Sequence, residues 1–108
     1  MKVTTTRVAS GDVSLHVVTY GDSTHTPVVL VHGYPDNHQV WAPVARLLAA
    51  RYFVIVYDVR GAGRSDVPTK VKDYRLTELA RDLAAEPEIL DATLYDGRGI
   101  PLAQSEQA

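Results

Sequence analysis

With 108 residues the chain has room for one domain, and a hydrophobic share of 45% is enough for a core and excludes a disordered composition. Lys and Arg number 11 against 13 Asp and Glu, a net charge of -2 that leaves no basic stripe for a nucleic-acid partner. The lack of cysteine excludes disulfides and thiolate metal sites, the opening Met-Lys-Val-Thr-Thr-Thr has no apolar signal core, and no apolar run reaches membrane-spanning length. A cytoplasmic protein without a membrane partner is the expectation.

Residues 4–9 and 13–20 are rich in Thr and Val and flank Ser10-Gly11-Asp12, which predicts an antiparallel hairpin. Residues 21–26 are a loop by composition. Val28, Val29, Leu30 and Val31 then form an unbroken apolar run, as expected of a strand buried on both faces of a parallel sheet. His32-Gly33-Tyr34-Pro35 must turn the chain at the carboxyl end of that strand, where open α/β sheets place their ligand crevices. Gly33 allows close backbone approach, and Pro35 holds its φ, lacks an N–H and is a candidate for a cis bond. The Tyr34 N–H can then point into the crevice. Asp36 and Asn37 are good N-cap residues, and Val40, Trp41, Val44, Leu47 and Leu48 recur at helical spacing, predicting one buried face of a helix that ends near Ala50.

Residues 52–57 read as the next apolar strand, so strand, helix and strand make a βαβ unit with a right-handed crossover. Gly61, Gly63 and Pro68 mark the loop that follows. A second helix is expected from about Leu76 to Ala85, with Leu76, Leu79, Ala80 and Leu83 on its buried face. Arg75 cannot accept from the helix amides, which leaves Asp73 or fraying of the first turn to compensate. Pro87 stops that helix, and no run of four consecutive apolar residues follows it. The expected organisation is a domain over 1–85 and an irregular tail over 86–108, the least ordered part of the chain.

His32-Gly33-Tyr34-Pro35 and the later Tyr57-Asp58-Val59-Arg60-Gly61-Ala62-Gly63-Arg64-Ser65-Asp66, in that order with a helix between them, carry a family resemblance. Over roughly residues 13–83 the chain resembles the α/β-hydrolase family, most closely its epoxide hydrolase and haloalkane dehalogenase branch. The resemblance implies an α/β class and the amino-terminal portion of that fold: a hairpin, then βαβ, then a helix, with the sheet incomplete. It implies that the Tyr34 backbone N–H supplies half of an oxyanion hole, with His32, Gly33, Pro35, Asp36 and Trp41 as candidate binding residues around a small-molecule substrate. It also matches Asp58, Arg60, Gly61, Gly63 and Ser65 to the family's strand-end loop. The implied chemistry is cofactor-free hydrolysis of an epoxide, halide or ester through a covalent enzyme intermediate. In some similar relatives a short-chain dehydrogenase domain follows the hydrolase domain, and these residues supply no such second domain.

The family's nucleophile elbow, Gly-x-Ser-x-Gly or Gly-x-Asp-x-Gly, does not occur. Ser65 and Ser23 each have only the preceding glycine, Asp96 has neither, and His38 is the last histidine, so no general base follows the fourth strand. For the side chain of His32 a buried, backbone-bonded role outweighs a chemical one. Asp58 and Arg60 are expected to brace their loop through hydrogen bonds and a charge pair rather than act as catalytic charges. Gly61-Ala62-Gly63-Arg64-Ser65-Asp66 starts like a dinucleotide fingerprint, but Asp66 stands where the third glycine should be. His32, Asp36 and His38 match no metal-ligand spacing, so no metal is expected. Two readings follow. One is a truncated hydrolase that is inactive alone; the other is a non-catalytic module that binds a partner, or a second copy of itself, through the strand at residues 28–31.

Overall fold

The computed structural model describes residues 1–85, 93–95 and 101–104. Strands β1 (Val3–Ser10) and β2 (Val13–Tyr20) form the expected hairpin, in antiparallel register from Val3 opposite Tyr20 to Ser10 opposite Val13. Gly11 makes the turn with φ +58°, a left-handed value that favours glycine. Strand β3 (Thr26–Val31), helix α1 (Ala42–Leu48) and strand β4 (Tyr52–Tyr57) make the βαβ unit, with β3 and β4 parallel. Helix α2 (Leu76–Ala85) follows the second loop. The sheet runs in the order β1-β2-β4-β3, with β2 antiparallel to β4. This is an α/β architecture with a four-stranded mixed sheet that stops at β3 among the described residues.

Burial is greatest in β4, which lies between β2 and β3 and has helices over both faces. Alternate side chains of a strand point to opposite faces. Val54 and Val56 therefore join Val18, Tyr20, Ala45 and Ala49 beneath α1, while Phe53, Ile55 and Tyr57 join Leu15 and Val17 on the α2 side. Val54, Ile55 and Val56 are fully buried. The expectation of a doubly buried strand therefore belongs to β4. In β3 the side chains of Val28, Val29 and Leu30 are half-buried and Val31 is 40% exposed, because among the described residues β3 has a strand on one side only.

Both helices are rotated relative to the sequence expectation. On the first, Trp41, Ala45, Leu48 and Ala49 (i, i+4, i+7, i+8) face the sheet, whereas Val40, Val44 and Leu47 share the next stripe and are 51%, 40% and 80% exposed. Both stripes are apolar, so periodicity did not separate them. The first turn is 3-10, over His38–Trp41, and Asn37 caps it by accepting from the Gln39 N–H at 2.8 Å. On α2 the inward stripe contains Asp82 and Ala85, while Leu76 is 81% exposed. Of the expected inward set, Leu83 does pack against the core on the α2 side, and with Leu76, Leu79 and Ala80 it borders an apolar cleft of about 490 Å³ shared with Val31, Tyr34 and Tyr57.

Asp82 is 1% exposed because Arg60 meets it with a fork of two hydrogen bonds, Nε to Oδ2 and Nη2 to Oδ1, both 2.6 Å. The remaining Arg60 nitrogen donates to the Asp73 carbonyl at 2.8 Å. The charge pair that braces the loop therefore joins Arg60 to α2, and not to Asp58. Within the stretch read as an irregular tail, β5 (Thr93–Tyr95) and β6 (Pro101–Gln104) pair as an antiparallel ribbon separate from the main sheet. The expectations for residues 86–92, 96–100 and 105–108, including Pro87, Asp96, Gly97 and Gly99, lie outside the described residues.

Removing one partner of a buried pair leaves an uncompensated charge, so Asp82→Ala is expected to cost about 3–5 kcal/mol. The joint change Arg60→Met with Asp82→Leu is expected to cost far less. Urea denaturation followed by circular dichroism measures both, and equal losses in the two variants would show that the pair does not tie α2 to the loop.

Candidate functional site

Two loops leave the carboxyl ends of neighbouring parallel strands, β3 and β4, and meet over the sheet. The first is His32 to Asn37, and the second begins at Asp58. They enclose a cleft of about 600 Å³ lined by His32 to Asn37, Val59 to Gly63, Tyr74 and Leu79. This is the position at which an open parallel sheet offers a ligand crevice. A second cavity of about 640 Å³, near Met1, Gly21 and Phe53, lies at the other end of β4 and holds none of the motif residues.

His32 is 7% exposed and uses both ring nitrogens on main chain: Nε2 accepts from the Val59 N–H at 2.9 Å and Nδ1 lies 2.9 Å from the Gly33 carbonyl. Because Nε2 accepts, the ring proton sits on Nδ1 and is donated to that carbonyl. This one side chain thereby links the two loops. The Tyr34–Pro35 bond is cis, and Asp36 N–H closes the turn onto the Gly33 carbonyl at 2.9 Å. Tyr34 is fully exposed, and its own N–H donates to no group among the described residues. Nothing described lies within 4 Å of where a Gly33 Cβ would stand, so the space beside that turn is open.

Asp58 is the buried anchor of the second loop, at 0% exposure. Its Oδ1 accepts from the His38 N–H and from His38 Nδ1, each at 2.7 Å, and its Oδ2 accepts from the Arg64 N–H at 2.9 Å. Burial alone would raise its pKa, but the donated hydrogen bonds from Arg64 and His38 outweigh it and hold the carboxyl below its ordinary value. The carboxylate is therefore charged at neutral pH. Gly63 has φ +52° and passes so close that a Cβ there would collide with the Asp58 carboxylate. A larger residue at 63 would break the cradle.

Ser65 is 5% exposed, donates its hydroxyl to the Asp58 carbonyl at 2.5 Å and accepts from the His16 N–H at 2.8 Å. That hydroxyl is occupied in fastening the loop to β2. Asp66 continues the attachment, accepting from the Ser14 N–H at 2.8 Å. Of the residues singled out in the sequence, His32, Gly33, Tyr34, Pro35, Asp36, Arg60, Gly61 and Gly63 line the one cleft. Trp41 does not: it packs against the core beneath α1. Asp58 and Ser65 lie under the loop as supports.

Three contributors escaped the sequence reading. Asp82 could have been suspected as a lone charge between Leu79 and Leu83 in an apolar stripe. His38 was weighed with His32 and Asp36, yet its partners are Asp58 and His16. The His16 ring packs edge-on against that of His38 with centroids 5.0 Å apart, a pairing across distant elements that no local pattern announces.

Comparison with known proteins agrees with this geometry. The family described as the alpha/beta hydrolase fold matches residues 26–97. Epoxide hydrolase 3 of Xenopus tropicalis is 31% identical over 77 residues, covering 71% of this chain and 21% of that protein. The protein named "Probable oxidoreductase EphD" of Mycobacterium tuberculosis is 48% identical over 58 residues, 54% of this chain and 10% of its own length. The chain thus spans a tenth to a fifth of the length of these two relatives. Among solved structures, an epoxide hydrolase of the alpha/beta hydrolase superfamily from hot-environment metagenomes superposes with a TM-score of 0.78 at 28% identity, covering 86% of this chain and 32% of that one. An epoxide hydrolase from Vigna radiata, at 23% identity and a TM-score of 0.78 over 84% of this chain and 30% of its own, shows the same fold. With both loop motifs in place at the ends of parallel strands and the family matched over most of its length, the chain belongs to the α/β-hydrolase family and resembles the amino-terminal portion of its epoxide hydrolase and haloalkane dehalogenase branch.

Proposed function

We propose that these residues form the oxyanion-loop portion of an epoxide-hydrolase-like site and do not hydrolyse substrate by themselves. The observation that carries this reading is the Tyr34 N–H, which has no partner among the described residues and belongs to a residue lining the cleft between the two loops. A backbone donor held in place before the reaction is the group best suited to stabilise a developing oxyanion. The His32 bridge and the Asp58 cradle hold that donor still. Covalent hydrolysis also needs a nucleophile, a general base and an acid in contact with the substrate. The one serine in the motif loop, Ser65, is buried and hydrogen-bonded on both sides, and no Gly-x-Ser-x-Gly or Gly-x-Asp-x-Gly occurs in the 108 residues. The substrate class in this reading is a small epoxide or organohalide, and no cofactor is called for. A cytoplasmic location belongs to the same reading, and the cysteine-free sequence fits it.

The expected outcome with the purified chain is no turnover of epoxide, haloalkane or p-nitrophenyl ester above a small residual rate, because an oxyanion donor without the covalent machinery leaves only weak catalysis. Turnover at ordinary enzyme rates would sink this reading.

A second reading, a module that pairs with another chain through its sheet edge, is favoured by one feature of the structure. Strand β3 has β4 on one side and no strand on the other among the described residues, and its four consecutive apolar residues carry no charge. Such an edge is a template for strand addition. Beside it lies the apolar cleft bounded by Val31, Tyr57, Leu76 and Leu83. Sedimentation should then show the wild-type chain self-associating at tens of micromolar, a range in which exposed edges commonly aggregate. The Val29→Lys variant should sediment as a smaller species. A wild-type chain that stays monomeric and folded would argue against any open edge.

A further inference from the structure

His16, His38 and Asp58 come from three separate elements: β2, the 3-10 turn that opens the first helix, and the end of β4. Their ligand-capable atoms all lie within 4.8 Å of one another. Asp58 is fully buried, His16 is 5% exposed, and the His38 side chain keeps 14% of its surface in solvent, which gives a small ion a way in. The His38–Asp58 contact by itself reads as a structural brace. His16 adds a second imidazole to that pair: its ring packs edge-on against that of His38 with centroids 5.0 Å apart and lies close enough to Asp58 for the three to share one ion.

We propose that His16, His38 and Asp58 form a binding site for one divalent transition-metal ion of the zinc class. Two imidazoles and a carboxylate are the donor set that suits Zn²⁺, whereas Ca²⁺ and Mg²⁺ require six or more oxygens. Three protein ligands leave a fourth tetrahedral position for water, on the side where His38 reaches solvent. The ion takes the place of the proton between His38 Nδ1 and Asp58 Oδ1, now 2.7 Å apart. Bond lengths of 2.0–2.1 Å at tetrahedral angles need about 3.3 Å between ligand atoms, so the pair opens by roughly half an ångström. The displaced proton is exchanged through solvent to His38 Nε2, so the ring binds as a neutral imidazole.

Main-chain bonds already hold the three residues in place. The Asp58 N–H donates to the His16 carbonyl at 3.0 Å, and the Ser65 hydroxyl bridges the His16 N–H and the Asp58 carbonyl. The His38 N–H donates to Asp58 Oδ1 at 2.7 Å, so the carboxylate stays oriented when the Nδ1 proton is displaced. Such outer bonds, which fix the ligands in advance, are what metal sites rely on for affinity. Because His38 begins the turn that follows the Tyr34 loop, a bound ion ties that loop to β2 and β4. The inference does not depend on the hydrolase reading.

Isothermal titration of the full chain with Zn²⁺ is expected to show one ion per chain, and bound Zn²⁺ should raise the melting temperature. His16→Ala and His38→Ala should each weaken binding by at least about tenfold, since even the loss of a supporting bond costs that much. His25→Ala, which leaves the cluster intact, should bind as the wild type does. Should the cluster variants fail to fold, the wild type alone decides: Co²⁺ must give the intense visible bands of a tetrahedral site, and Zn²⁺ must shift the His16 and His38 ring nitrogens in NMR spectra. No uptake, uptake unchanged in His16→Ala, or ring shifts confined to His25 and His32 would overturn the proposal and leave an adventitious ion only.

Discussion

A carboxylate with no solvent exposure must be surrounded by donors or it will not stay ionised, and the loops of this protein are arranged around that requirement at Asp58. Strand β4 delivers the carboxylate to the sheet's carboxyl edge. One oxygen then draws in the start of the first helix through His38, and the other draws in the Arg64 amide. Gly63 is the residue that lets the chain pass over it. The cleft between the two loops is thus a consequence of satisfying one buried charge, and so is the position of the turn that carries Tyr34.

The second loop is held at its far end by a different device. Arg60 leaves the same strand end two residues later and reaches the inward stripe of α2, where Asp82 receives it with two parallel hydrogen bonds. Ser65 and Asp66 fasten the returning chain to β2. Three anchors on two elements leave little freedom to the loop that forms one wall of the cleft. The polar atoms of Asp58, Arg60, Ser65 and Asp82 are each accounted for by named partners, so the charge buried here serves geometry rather than exposing reactive groups.

The sheet sets the surroundings of the two loops. Strand β4 is central, paired on both sides and covered on both faces, and it supplies more residues to the two core clusters than any other element. Strand β3, which leads into the Tyr34 turn, has only one neighbour among the described residues. The Tyr34 turn and the apolar cleft beside α2 both adjoin the carboxyl end of that strand.

Much of this could be read from local sequence. The hairpin, the βαβ unit and the two helix positions follow from period, turn residues and caps, all of which act over a few neighbouring residues. The pairing of His32-Gly33-Tyr34-Pro35 with the Asp58 to Ser65 loop was recognisable because each motif has fixed spacing. What depended on packing was the choice among locally equivalent options. Val40, Val44 and Leu47 are as apolar as Trp41, Ala45 and Leu48, and only contact with the sheet selects the second set. Arg60 could have paired with Asp58, and Asp58 is instead claimed by nearer backbone amides while Asp82 waits across the loop. His16 and His38 are far apart in the chain and meet because β2 lies beside β4, whose end carries the Asp58 that draws His38 in. Local preferences name the elements and the motifs; which side chains face one another is a property of the assembled layers, where contacts between distant residues compete for the same space.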